Sequence, residues 1–154
     1  MNSKLILLIA FSFIITKTVS AQNNSSNNEL EKEAVKAVIK KTFTAMINAD
    51  TVLLKSCFAP GSVLQIVQNQ KDSVIVRTRT AAEFVTGIGK QVAGALDEKS
   101  FDEIIYVDKE LATAWAPYTF HLNGKFSHKG IDSFQFVKLK EGWKIQYLIY
   151  NMYQ

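Results

Sequence analysis

Past residue 28 the apolar positions Val35, Val38, Ile39, Phe43 and Met46 recur every three to four residues, with Lys36, Lys40 and Lys41 between them. That period lays one apolar stripe along a helix, predicted from about Asn28 to Asn48. Ser26 and Glu29 stand three apart at its start as a capping box. Asp50 is placed to cap a short second helix through Leu53 and Leu54, with Pro60-Gly61 as its stop. Val63 to Val67 and Ser73 to Thr78 are β-rich, and the polar run Asn69-Gln70-Lys71-Asp72 folds one back on the other. Thr80 and Glu83 make a second capping box ahead of Ala81, Phe84, Val85 and Ile88, a third, short amphipathic helix.

From Phe101 onward the period is two. Ile104 to Val107, Leu111 to Leu122, Lys125 to Leu139 and Trp143 to Met152 are four strands in series. Asn123-Gly124 is the pair that a two-residue hairpin turn demands, because both positions need positive φ. Lys140-Glu141-Gly142 closes the next hairpin. Three helices followed by an antiparallel meander is an α+β arrangement, with the helices on one face of the sheet.

The N-terminus has a different pattern. Lys4 precedes the apolar run Leu5 to Ile15, and Val19-Ser20-Ala21 stands ahead of Gln22. A basic start, a short apolar core and small residues at two positions before a cut site are the layout of a signal peptide. Bilayer crossing needs about 20 apolar residues, more than this run supplies. No cysteine follows that could carry a lipid, so no membrane anchor is expected. The reading is a signal peptide over residues 1–21 cleaved near Ala21-Gln22, a polar linker over 22–27 that breaks any helix, and a single domain over 28–154. The product is expected to be exported, either periplasmic or secreted.

Composition narrows the chemistry. The chain has 154 residues, 47% hydrophobic and 21% charged, which suits one domain. Its net charge of +4 includes Lys4 and Lys17. Without residues 1–21 the excess is +2, which gives no basis for nucleic-acid binding. Arg77, Arg79 and the lysines of the later strands read as solvated faces. One cysteine, Cys57, excludes a disulfide scaffold and a zinc ribbon. It reads as a small buried side chain, or as one half of an intermolecular disulfide. Two histidines with no HExxH or CxxC argue against a metal site. GxSxG, GxGxxG and GxxxxGK[ST] are absent from the sequence, so neither a nucleophile elbow nor a phosphate cradle is indicated, and no cofactor is expected.

The order of elements, with Phe58-Ala59-Pro60, Trp115-Ala116-Pro117-Tyr118, Asn123-Gly124, His128-Lys129-Gly130, Phe134 and Gly142-Trp143-Lys144-Ile145, resembles the nuclear transport factor 2-like superfamily. Within it the chain is similar to the SnoaL-like proteins and the exported lumazine-binding subgroup. The resemblance spans about Asn28 to Asn151. It implies a cone, in which three N-terminal helices close a strongly curved, mostly antiparallel sheet around a largely apolar pocket, often in a homodimer packed through the sheet. It does not imply a reaction, because the superfamily holds isomerases, dehydratases and cyclases beside non-enzymes.

Alternation points to the residues that face such a pocket. From Leu111 the better inward set is Ala112, Ala114, Ala116, Tyr118 and Phe120, with Trp115 and His121 opposed. On the next strand Phe126, His128, Asp132, Phe134 and Phe136 share parity, unless Gly130 marks a bulge. His128 and Asp132 are four residues apart, about 13 Å along a strand, too far for a direct dyad. The candidate ligand-binding residues are therefore Tyr118, Phe120, His128, Asp132, Phe134 and Trp143, with Trp115 suited either to the pocket or to a dimer surface.

Three functions follow. The first is a small-molecule binder without catalysis, in which Tyr118, His128 and Asp132 orient a planar or lipid-like ligand. The second is a cofactor-independent lyase or isomerase using Asp132 or His128 as base with Tyr118; Asp102 and Glu103 are further candidate bases, and all three acids are expected to face solvent. The first helix carries no tyrosine, a departure from ketosteroid isomerase. The third is a protein-interaction module using the sheet face around Trp115. A carboxylate deep in the cone, with a histidine or tyrosine across from it, is the feature on which an enzymatic mechanism depends.

Overall fold

The computed structural model describes residues 7–71 and 73–153, with side chains from Ser26 onward. Helix α1 (Leu7–Ile47) is followed by α2 (Thr51–Ser56), β1 (Phe58–Gln70), β2 (Ser73–Thr80), α3 (Ala81–Ile88), β3 (Leu96–Ser100), β4 (Ile104–Asp108), β5 (Leu111–Leu122), β6 (Lys125–Leu139) and β7 (Gly142–Asn151). The first residues of the expected signal segment, and Asp72 in the first hairpin, lie outside the described residues.

Helix α1 starts earlier than the sequence pattern suggests and runs through Asn23 to Asn28 without a break. Asn and Ser are indifferent helix formers, costing at most about 0.7 kcal/mol each, and no Gly or Pro interrupts the segment. Glu29 is consequently no cap residue; it pairs with Lys32 at 2.7 Å. The apolar stripe is as read: Val35, Ile39, Phe43 and Met46 are buried. Asp50 caps α2 by accepting from the Leu53 N–H at 2.9 Å. That helix stops at Ser56, ahead of Pro60-Gly61, which sits in an irregular part of β1 between Phe58 and Val63. The Thr80–Glu83 capping box is formed in full.

The seven strands form one sheet in the order β2-β1-β7-β6-β5-β3, and β4 pairs with β5 alongside β3. Every pairing is antiparallel except β1 with β7. Asn123 and Gly124 both have positive φ, as their hairpin requires. Strand β3 is not evident in the sequence pattern: Leu96-Asp97-Glu98-Lys99-Ser100 carries three charges, yet it pairs residue by residue with Leu122 to Tyr118. The helices pack on one face of the sheet. There Ala112, Ala114 and Ala116 leave room for the core formed by Leu54, Leu64, Phe134, Phe136 and Ile145.

Candidate functional site

Where α1 and α3 cover the sheet they leave a cavity of about 330 Å³. Its apolar walls come from Phe43 and Met46 on α1, Phe84 and Ile88 on α3, and Phe120, Phe134 and Leu148 on the sheet. Eight polar side chains also face it: Thr42, Arg79, Gln91, Glu98, Tyr118, His128, Asp132 and Tyr150. A mostly apolar cleft of this size with a few convergent polar groups is the usual form of a small-molecule site.

Strand parity places these residues. The inward positions of β5 are the even ones through Tyr118 and Phe120, and those of β6 are His128, Gly130, Asp132, Phe134 and Phe136. The irregularity in this hairpin falls between Phe120 and His121, not at Gly130, and it leaves Phe126 exposed. Gly130 has another purpose. A Cβ there would lie 2.1 Å from the Asn151 carbonyl oxygen and 2.8 Å from the Tyr118 ring. With no side chain in the way, the Tyr118 hydroxyl donates to that same carbonyl at 2.9 Å. The phenol proton is thus directed into β7, and Tyr118 presents its ring to the cavity. Burial, and then the nearby Glu98 and Asp132 carboxyls, push its pKa upward, so it stays protonated.

Asp132, expected to face solvent, is 2% exposed. It sits opposite Ala116 on one side and Tyr150 on the other. The group that meets its carboxyl is Glu98, the inward residue of β3 that the sequence reading missed. The two carboxyl groups are neighbours in the cavity wall, near enough to hydrogen-bond once one of them is protonated. No N–H or hydroxyl among the described residues reaches Asp132 Oδ2. Two buried carboxyls this close repel when both are ionised, and a hydrogen bond between them requires one to be protonated, so the pair favours a shared proton. Burial raises the pKa of both. Glu98 is raised further by the neighbouring Asp132 charge, so the pair as a whole holds a proton above the ordinary carboxylate range. The alternation of Leu96, Glu98 and Ser100 against Asp97 and Lys99 was the one signal in the sequence that could have found it.

His128 stacks on Phe120 with ring centroids 4.8 Å apart, and its Nδ1 lies 3.1 Å from Ser127 Oγ. Desolvation lowers its pKa, which keeps the ring neutral. Arg79, read from the sequence as part of a solvated face, instead reaches the cavity: its guanidinium lies 4.5 Å from the Phe84 centroid and donates to Tyr150 Oη at 3.1 Å.

Four of the candidate residues stand elsewhere. Trp143 is buried under α1, where its Nε1–H donates to Glu31 at 2.8 Å, and it does not line the cavity. Trp115 is 52% exposed on the opposite face of the sheet, beside Ile104. Asp102 is exposed in the turn before β4, and Glu103 is engaged with Ser100 and Lys36 outside the cavity. Cys57 is a free, buried thiol. Among the described residues no group of three metal-ligating side chains converges, and no helix is long and apolar enough to cross a membrane.

Comparison with solved structures gives the same architecture. An NTF2-like protein of unknown function from Shewanella baltica OS155 superposes with a TM-score of 0.64 at 16% identity, covering 81% of this chain and 95% of that one. A protein of unknown function with a cystatin-like fold from Nostoc punctiforme PCC 73102 gives 0.65 at 15%, with 80% and 92% covered. An NTF2-like superfamily protein from Salmonella enterica serovar Typhimurium LT2 gives 0.64 at 18%, with 82% and 93% covered. At these identities the likeness establishes the fold: helices against a curved, mostly antiparallel sheet. No curated protein matches the chain significantly. The family profile described as "Putative lumazine-binding" matches residues 30–151, from the middle of α1 to the end of β7, and the chain belongs to that family.

Proposed function

We propose that this protein binds a small molecule with an apolar body in the cavity, and that the bound molecule hydrogen-bonds the Glu98–Asp132 pair. The observation that carries this reading is an acid pair on the wall of an apolar cavity, met at Asp132 Oδ2 by no N–H or hydroxyl among the described residues. Leaving a buried carboxyl oxygen unmet costs about 1 to 3 kcal/mol, a cost that a ligand O–H or N–H would offset. His128 and the rings of Phe120 and Phe134 would hold a planar or lipid-like body. Native mass spectrometry of the protein purified gently from its own host tests the reading. A co-purifying molecule that is lost in Asp132→Asn supports it, and a cavity that is empty in every preparation contradicts it.

One observation favours a second reading, a cofactor-independent lyase or isomerase. A carboxyl whose pKa is raised toward neutrality suits a general base, and Glu98 beside Asp132 could return the proton. The Tyr118 hydroxyl, committed to Asn151, is not aimed as an oxyanion donor in this arrangement. Binding without turnover is therefore the better supported of the two.

Two further elements of the proposal lie outside the cavity. Export rests on Lys4, the apolar run Leu5 to Ile15 and Val19-Ser20-Ala21; N-terminal sequencing of the mature protein should begin at Gln22. Homodimerisation through the outer sheet face is supported by Trp115, Ile104 and Tyr106, all more than half exposed there. Light scattering should report twice the chain mass.

A further inference from the structure

The proposed binding reading leaves one charged group in the cavity without a counterpart. Arg79 lies on β2, toward the edge of the sheet, yet its guanidinium faces the cavity. Among the described residues no carboxylate forms an ion pair with it. Its side-chain hydrogen bond is the one to Tyr150 Oη, and its flat face rests on Phe84. A guanidinium carries five N–H donors in a rigid fork. Here the ring below and the phenol beside it fix the plane and leave most of that fork free.

The acids around it are otherwise occupied. Glu83 on α3 accepts from the Thr80 backbone N–H and from its hydroxyl. Glu98 and Asp132 lie beside one another in the cavity wall, each engaged with the other rather than with Arg79. Tyr150 is neutral, its pKa raised by burial before any other cause, and His128 is uncharged. The cavity thus has two polar poles: an acid pair, and a cation held in place with no ion-paired carboxylate among the described residues, the Glu83 charge acting on it only at longer range.

We propose that Arg79 is the anion-receiving group of the cavity, and that the bound molecule is an apolar carboxylate whose oxygens take the guanidinium fork. This rests on the binding reading above and narrows it to a chemical class. A carboxylate matches the fork in a two-point, charge-assisted contact, while its apolar body lies against Phe84, Phe120 and Phe134. Any hydroxyl or amine it also carries would meet the acid pair.

The test is a calorimetric comparison of naphthoate with its neutral, nearly isosteric counterpart acetonaphthone, on the full protein. Naphthoate is expected to bind about tenfold tighter or better, the worth of one charge-assisted contact. Arg79→Gln should abolish that preference, read as the ratio of the two affinities within the variant, and Arg79→Lys, which keeps the charge and loses the fork, should restore part of the ratio. Equal affinity for the two probes in the wild-type protein would overturn the assignment of Arg79 and leave the binding reading intact. Failure of both probes to bind would count against the binding reading itself, and the assignment would fall with it.

Discussion

Gly130→Ala should cost about 2 to 4 kcal/mol of stability. The magnitude has two parts. A Cβ placed 2.1 Å from the Asn151 carbonyl oxygen cannot be accommodated by a side-chain rotation, because the obstacle is backbone. Its other neighbours, Tyr118 Cε1 and Cζ at 2.8 and 2.9 Å, belong to a ring that is 2% exposed and is tied in place by its hydrogen bond to Asn151. Overpacking of this kind costs about 1 to 3 kcal/mol. Moving either obstacle also breaks the Tyr118–Asn151 hydrogen bond, worth about 1 kcal/mol more. Urea unfolding followed by circular dichroism would report a lower midpoint with an unchanged slope. A double-mutant cycle isolates the second part: if the hydrogen bond is already lost in Gly130→Ala, then adding Tyr118→Phe should cost almost nothing, although Tyr118→Phe alone costs about 1 kcal/mol. A loss below about 0.5 kcal/mol for Gly130→Ala, the range of an ordinary surface change, would refute this packing argument.

The acid pair makes stability depend on pH in a direction opposite to that of ordinary carboxylates. Both folded-state pKa values are raised, so the folded protein binds more protons than the unfolded chain above about pH 4. The pair's contribution is therefore fully present below the unfolded pKa values and is lost as pH rises toward neutrality. The slope is at most about 1.4 kcal/mol per pH unit for each proton. In Glu98→Gln this decline should flatten; identical profiles for variant and wild type between pH 4 and neutrality would contradict the shared-proton arrangement. The lowered carboxyls of Glu31, Glu83 and Glu103 act in the other direction and weaken the fold only as pH falls through their own range.

The fold was legible wherever local chemistry and tertiary structure agree. The stripe of α1, the Asp50 cap, the Thr80–Glu83 box and the Asn123-Gly124 turn are each decided within a few residues, and each stands where the pattern puts it. The inward face of β5 was legible too, since alanines alternating with Thr and Trp leave little choice. What escaped was decided by partners distant in sequence. Strand β3 has a composition that disfavours a strand, and it extends because Leu111–Leu122 offers it a free edge. With β3 went Glu98, and without Glu98 an inward Asp132 had no partner, so solvent was the reasonable place for it despite its parity with Phe134. Arg79 was misplaced for a related reason. On an edge strand a cation defaults to water, and only the arrival of α3, with Phe84 under the guanidinium, turns it toward the cavity. Trp143 shows the converse, an aromatic with the composition of a pocket wall that is claimed by Glu31 of α1.

Carbon-detected NMR titration of the Glu98 and Asp132 carboxyl groups tests the central claim most directly. The two should titrate as a coupled pair with both steps above the ordinary carboxylate range, and the shared proton should persist as the solvent-exposed acids ionise. Independent titration of both groups near pH 4, as in solvated carboxylates, would show that no proton is held between them and would remove the polar pole on which the proposed binding site rests.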